Sequence, residues 1–422
     1  MKLQQHLAYG LLGAPLAMAA LPVYIYAPKL YGDTFGLGLA LTGSILLASR
    51  AVDTLQDPWL GRLADFMQHR RGGWNWLVMV AAGCLALAYT ALFNPPEFNA
   101  SDQAGGLLPI WFGLTLILVY TAHSALNITY LAWGARAGED SHERTRLVAF
   151  REGFALGGVI LASLLPMLFA RWFDLTITWL LISLLFALLL LPAVWLLLHR
   201  APLPRLAQSD GMSLLQPLCD PAFRRLAILF LLNGLAVAIA ATLSLFYIAD
   251  VLQLESESGA LLALYFVSGA LSLPVWLGLA RRFGKTSAWL LGGIVAVLGF
   301  VWAVQLGAGD LLPFAVICIM SGAALGADLA LPAAIAADII PPRDQGRTAS
   351  YFGIWSLINK GVLALAAGLA LPLLAELGYR PGGQSGLLAL ALFYAGVPCL
   401  IKLFSTILLI RWRSYLELRH VY

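Results

Sequence analysis

Long apolar runs broken by short polar punctuation fill this chain of 422 residues. A helix that crosses a bilayer needs about 20 mostly apolar residues. Twelve stretches reach that length: 7–28, 38–64, 74–94, 107–134, 147–170, 175–198, 223–249, 258–280, 286–307, 311–338, 348–375 and 385–411. Between them stand Gly72-Gly73, Asn94-Pro95-Pro96, Gly105-Gly106, Pro341-Pro342 and Pro381-Gly382-Gly383, which is turn chemistry. The pattern predicts an all-α membrane protein of twelve transmembrane helices. The longest polar interruption, 199–222, carries prolines and charges of both signs and reads as a cytoplasmic linker. It divides a six-helix half at 1–198 from a second at 223–422, the latter ending in a short cytoplasmic tail.

Weak repetition crosses that linker. Gly61-Arg62-Leu63-Ala64-Asp65 follows the second span, and Gly278-Leu279-Ala280-Arg281-Arg282 follows the eighth. Arg144-Thr145-Arg146 precedes the fifth span and Gly346-Arg347-Thr348 the eleventh, and both spans then hold a late proline, Pro166 and Pro372. Two related six-helix halves are the arrangement of major facilitator transporters, whose site lies between the halves at mid-membrane.

Lys and Arg set the orientation. With a cytoplasmic N-terminus, the basic loop residues from Lys2 through Arg62, Arg144 and Arg281 to Arg419 gather on the cytoplasmic side. The opposite side keeps Lys29, Arg171 and Arg380. Both termini are therefore expected in the cytoplasm. Lys2, the apolar run after it and Ala17-Met18-Ala19 imitate a cleavable signal. The run continues past that site to Ala27, and cleavage would leave eleven spans and reverse the charge rule, so a retained first span is expected.

Composition narrows the classes. Hydrophobic residues make up 60% and charged residues 11%, against about 25% charged in an average globular domain. With a mean hydropathy of +0.83, such a surface suits lipid rather than water, which excludes a soluble enzyme. A net charge of +4 from scattered residues excludes a nucleic-acid binder. Cys84, Cys219, Cys318 and Cys399 lie far apart, with no metal-ligand spacing and no disulfide framework, and read as apolar filler.

Charges inside apolar spans are costly and mark function by default. The second span holds Arg50, Asp53 and Asp57, at i, i+3 and i+7, on one helix face. Arg50 can neutralise one carboxylate by a charge-assisted pair, leaving the other for a proton or a metal cation. Two carboxylates a turn apart oppose each other's ionisation, which binding of either would relieve. Pro58 cannot donate to the Thr54 carbonyl, freeing an oxygen at the same level. The competing reading is a salt-bridge cluster that only clamps helices.

Arg151 in the fifth span, Lys360 in the eleventh and Asp328 in the tenth are candidates to line a substrate cavity. For Asp328 the alternative is a helix-packing hydrogen bond. Lys402 in the twelfth span is a weaker candidate for the same cavity, since it can instead snorkel toward the cytoplasmic end. In the fourth span Thr121, Ser124 and Asn127 form a polar stripe, open to helix packing as well as to ligand, and His123 can relay protons or simply hold a hydrogen bond.

At these residues the sequence resembles the glycoside–pentoside–hexuronide:cation symporters, the melibiose permease-like branch of the major facilitator superfamily. The likeness spans nearly the whole chain: Tyr9-Gly10, Arg50, Asp53, Asp57, Pro58, Gly61, Arg70 to Gly73, Tyr120-Thr121, Arg151, Ala337-Asp338 with Arg347, and Lys360. Arg-x-x-Asp-x-x-x-Asp-Pro is the most specific element. The resemblance implies that Asp53 and Asp57 bind the coupling cation, as metal ligands if that cation is Na⁺, with Thr121 a further ligand. It implies that Arg151 and Lys360 line the site near sugar and cation, and that Asp65, Arg70 and Arg71 belong to a cytoplasmic gate. Two sugar-binding aspartates of the family are replaced here, by Ala17 and Ser124. Asp328 is a candidate to compensate from the second half.

The expectation is an H⁺- or Na⁺-coupled symporter of a small polar or anionic solute, such as a sugar or glycoside, working by alternating access. The rival is a lysophospholipid or other amphipathic lipid transporter of the same fold, which the surviving basic Arg151 and Lys360 would suit. No nucleophile–base pair, metal motif or phosphate loop points to an enzyme. No cofactor beyond the coupling ion is expected. The partners are substrate and bilayer, with no nucleic acid, for a monomer in the inner (plasma) membrane.

Overall fold

The computed structural model describes residues 2–37, 39–68, 70, 73–96, 106–138, 140–205, 216–380, 382–383 and 385–417. Helices carry nearly all of them, and among the described residues there is no strand. In chain order they are α1 (Leu3–Gly10), α2 (Gly13–Lys29), α3 (Leu39–Met67), α4 (Gly73–Phe93), α5 (Leu107–Ala137), α6 (Ser141–Phe169) and α7 (Leu175–Arg200). The remainder are α8 (Pro221–Phe246), α9 (Ser258–Phe283), α10 (Lys285–Phe300), α11 (Leu311–Ile339), α12 (Thr348–Glu376), α13 (Leu387–Ala391) and α14 (Val397–Glu417). Wide π turns at Leu30–Thr34, Tyr247–Val251 and Leu392–Gly396 extend α2 and α8 and join α13 to α14.

Leu- and Ala-rich sequence favours these helices, and local chemistry starts several of them. Asp140 caps α6 by accepting from the Glu143 amide at 2.7 Å, a bond that holds its carboxyl below the usual range. Asp174 caps α7 through the Ile177 amide at 2.8 Å. Asp220 caps α8 through the Ala222 and Phe223 amides, with Pro221 at the first helical position. Pro58, Pro166, Pro192, Pro274 and Pro332 all lie inside unbroken helices. Neighbouring helices make such prolines tolerable in a membrane.

Among the described residues, ten helical segments are long and apolar enough to cross a membrane. α3 and α12, of 29 residues each, cover the second and eleventh expected stretches. α3 is the least apolar of the long helices because it carries Arg50, Asp53, Asp57, Arg62 and Asp65. Large apolar side chains such as Leu47, Leu87, Trp172, Leu188, Leu271 and Leu312 stand exposed along the helices. A surface of that kind belongs in lipid.

The chain divides into two compact units. One comprises 1–214 with 341–357, and the other 215–340 with 358–422. Pro341–Leu357, which the sequence reading assigns to the second half, thus groups with the first; of the 199–222 linker, 206–215 lies outside the described residues. In the first unit, Tyr9 and Tyr130 lock α1 to α5, each hydroxyl donating to the other's carbonyl at 3.1 and 2.6 Å. Tyr31 stacks on Phe112 with centroids 4.0 Å apart. In the second unit, the ring of Tyr247 stacks on Tyr394 at 4.1 Å and its hydroxyl donates to the Ala303 carbonyl. Cys84 and Cys219 are exposed, Cys318 and Cys399 buried, and all four are free.

Candidate coupling and substrate sites

The α3 carboxylates are buried in the first unit. Asp57 is 0% exposed and Asp53 5%. Ser124 of α5 donates to Oδ1 of Asp53 at 3.1 Å, and the Gln56 amide nitrogen approaches the same oxygen at 3.5 Å. Thr121, one turn before Ser124, donates to Oε1 of Gln56 at 2.8 Å. Four side chains from two helices thus form one chain: Thr121, Gln56, Asp53, Ser124. Ser124, expected as a substrate residue, thus bonds Asp53, expected to bind the coupling cation, and Thr121 reaches the same carboxylate through Gln56. Gln56 was not singled out by the sequence reading. Its signal was available, since it stands one helical turn after Asp53 on the same face. Arg50 is exposed, with its guanidinium 4.2 Å from the centroid of the Tyr24 ring.

This set of a carboxylate, two hydroxyls and an amide carbonyl, with Asp57 buried one turn further along α3, is of the oxygen-ligand type that a hard cation prefers. The same carboxylate oxygens can take a proton instead. Among the described residues, no three His, Cys, Asp or Glu side chains converge as a metal cluster.

The same helix builds the expected gate residue. Asp65, 3% exposed, accepts from the Ala349 amide at 2.9 Å, the Ser350 amide at 2.7 Å and the Ser350 hydroxyl at 2.6 Å. These amides belong to the first turn of α12, so Asp65 serves as that helix's N-cap from a distant part of the chain. Close backbone approach makes this possible. A Cβ at Gly353 would stand 2.7 Å from the Asp57 carbonyl oxygen, and one at Gly61 would strike the Ala349 carbonyl. Gln68 adds a bond to the Gly346 carbonyl and accepts from Arg136. Arg70 is exposed, its guanidinium 5.0 Å from the Phe66 ring centroid. Arg71 lies outside the described residues.

Arg151 pairs with its neighbour Glu152, both side chains 13% exposed. The ring Nε2 of His123 is 3.1 Å from the Leu16 carbonyl, tying α5 to α2 beside Ala17. Asn127 is half-buried one turn further along α5, and Lys360 is half-buried midway along α12.

Asp328 has its own partners inside the second unit. Its Oδ2 accepts from Lys402 of α14 at 2.5 Å and its Oδ1 from the Trp289 indole of α10 at 2.9 Å. The ammonium of Lys402 also donates to Asn233 of α8. Lys402, 5% exposed, is therefore turned inward rather than toward the cytoplasmic end. A buried carboxylate on α11 outweighs the pull of the interface on a long side chain. This four-helix knot adjoins a cavity of about 330 Å³ lined by Tyr265, Phe300, Phe314, Cys318, Tyr394 and other mostly apolar residues.

The fold is that of major facilitator transporters. A bacterial homologue of the iron transporter ferroportin, solved in the outward-facing state, superposes with a TM-score of 0.76 at 17% identity, covering 98% of this chain and 100% of that one. The fucose:proton symporter of Escherichia coli superposes with a TM-score of 0.65 at 14% identity, covering 94% and 98%. At these identities the likeness speaks to fold alone. The sequence matches the MFS/sugar transport protein family over residues 7–414, and the chain belongs to that family, within its glycoside–pentoside–hexuronide:cation symporter branch. An uncharacterized symporter of Synechocystis sp., sll1374, is 31% identical over 169 residues, 39% of this chain and 30% of that protein. The inner membrane symporter YicJ of Escherichia coli is 25% identical over 167 residues, 40% of this chain and 35% of that protein. The chain thus matches about a third of the length of either relative. It is a multi-pass membrane protein of a transporter family.

Proposed function

We propose that this protein is a cation-coupled symporter of a small polar or anionic solute, sugars and glycosides foremost, that works by alternating access. On this reading it has twelve spans in two six-helix halves, both termini lie in the cytoplasm, and a monomer resides in the inner (plasma) membrane. The observation that carries the reading is the buried pair Asp53 and Asp57 on α3, with Asp53 held by Ser124 of α5. Charge buried in a membrane span is costly, which a proton or Na⁺ bound at this pair would offset. Thr121 and Gln56 supply further oxygens, and Arg50 a balancing charge at the same helix face. Arg151 and Lys360 are assigned to the solute, with His123 and Asn127 as polar neighbours on α5. The carrier rocks when fully loaded or empty, because a half-neutralised site disfavours closure. Asp65, bound to the first turn of α12, is assigned to a cytoplasmic gate together with Arg70 and Arg71.

The test is solute uptake into proteoliposomes under an imposed Na⁺ gradient and, separately, a pH gradient. A sugar or glycoside panel should show accumulation above equilibrium under one of the two. Equal uptake with and without either gradient would rule out coupling.

A further inference from the structure

The cavity of the second unit has a built polar end. Asp328 and Lys402 are 8% and 7% exposed at their side chains, and both border it. We propose that this cavity is a binding site, separate from the α3 carboxylates, for a net-neutral lipophilic alcohol or phenol of about two fused rings, its hydroxyl on the Asp328–Lys402 pair.

Size sets the body of the ligand. A dry engineered cavity of about 150 Å³ takes benzene, and about 330 Å³ is roughly twice that. It also falls within the range of small-molecule pockets, about 300–1,000 Å³. The lining is hydrocarbon and aromatic, with rings from Tyr265 and Phe266 on α9, Phe300 on α10, Phe314 on α11 and Tyr394 in the π turn before α14. The body is therefore apolar and flat enough to meet ring faces.

The polar end sets the head. Asp328 already accepts from Lys402 and Trp289, and Lys402 already donates to Asp328 and Asn233. An ammonium carries three donors and a carboxylate about four acceptor directions. The pair therefore retains one donor and spare acceptor capacity, which a hydroxyl, with one donor and two lone pairs, can use at once. Its net charge is zero. An anionic head would compete with Asp328 for Lys402, and a cationic head with Lys402 for Asp328, each leaving a charge buried without its partner. Charge complementarity thus selects a neutral head.

The proposal stands whether or not Asp53 and Asp57 couple a cation, and it is read by binding rather than transport. Full-length protein in lipid nanodiscs, against protein-free nanodiscs, would be dialysed to equilibrium with 2-naphthol, 2-naphthoate and 2-naphthyltrimethylammonium. Saturable one-to-one binding of 2-naphthol, at least tenfold tighter than either charged probe, is expected. Two variants locate the site: Ala240→Phe and Cys399→Leu each fill the cavity from a different helix and should weaken 2-naphthol binding at least tenfold. Asp328→Asn should reverse the order in favour of 2-naphthoate, which a merely structural ion pair would not do. Absence of saturable 2-naphthol binding, a charged probe preferred by the wild type, or undiminished binding in a folded filled variant would overturn the proposal. If neither filled variant folds, the order of the three probes on the wild type decides it. Failure here leaves gradient-driven uptake untouched, and failure of uptake leaves this binding untouched.

Discussion

The hydroxyl of Ser124 donates to Oδ1 of Asp53 at 3.1 Å, which ties the polar stripe of α5 to a buried carboxylate of α3. A hydrogen bond to a buried charged group contributes about 1.5–3 kcal/mol. On the proposed mechanism, Ser124→Ala should raise the coupling-ion concentration for half-maximal uptake by about tenfold or more. The solute KM at saturating ion should change far less. Measuring both constants in proteoliposomes checks this. A variant whose solute KM rises while its ion dependence stays put would return Ser124 to the substrate.

Asp57→Asn and Asp53→Asn should each abolish accumulation above equilibrium. The two should differ in residual behaviour. Asp53 shares its charge with Ser124 and Gln56, so its amide variant can keep those bonds and retain solute exchange down a gradient. Counterflow of labelled solute separates exchange from uphill uptake. Full gradient-driven accumulation in either variant would remove that carboxylate from the coupling role.

Asp65 tests the junction between α3 and α12. Its carboxylate satisfies two first-turn amides and a hydroxyl. Removing an N-cap costs about 0.5–2 kcal/mol, so Asp65→Ala should lower the apparent Tm in detergent by several degrees, and Asp65→Asn by less, since asparagine also caps. Gly353→Val should cost more than either, because its side chain would meet the Asp57 backbone, which cannot swing aside. Thermal unfolding followed by size exclusion distinguishes the three. An Asp65→Ala protein as stable as wild type would show that water replaces the cap.

Much of this was legible in the chain before its structure. Twelve apolar stretches and their Gly and Pro breaks located the helices, because span length is dictated by bilayer thickness and needs no tertiary information. Asp53 and Asp57 were legible for a related reason, since a charge in an apolar run is an anomaly wherever the helix packs. Partners were not. Lys402 reads from its own helix as a snorkelling residue, and only the placement of α11 and α8 beside α14 gives it Asp328 and Asn233. The partner of Ser124 was hidden in the same way: its stripe with Thr121 and Asn127 fixes a face of α5, while the helix that meets that face is decided by long-range packing. Asp65 sits in a recognisable loop-end motif, yet its bond to a helix start 284 residues away has no local signature.

The Asp328–Lys402 pair allows a sharper test of what holds the second unit together. Breaking a buried ion pair from one side costs about 3–5 kcal/mol, because the remaining charge is stranded, while replacing both partners by apolar residues is often neutral or stabilising. Lys402→Met should therefore destabilise strongly, leaving Asp328 with only the Trp289 indole. The double variant Asp328→Leu with Lys402→Met should recover most of that loss. It should not recover all, since the Asn233 carbonyl and the Trp289 indole would each lose a buried partner at about 1–3 kcal/mol apiece. Unfolding of the single and double variants in one lipid composition gives the coupling between the two positions directly. Additive losses, with the double variant worse than either single, would mean that the two charges are solvated independently. In that case the pair would not be the shared, net-neutral element on which the four helices converge.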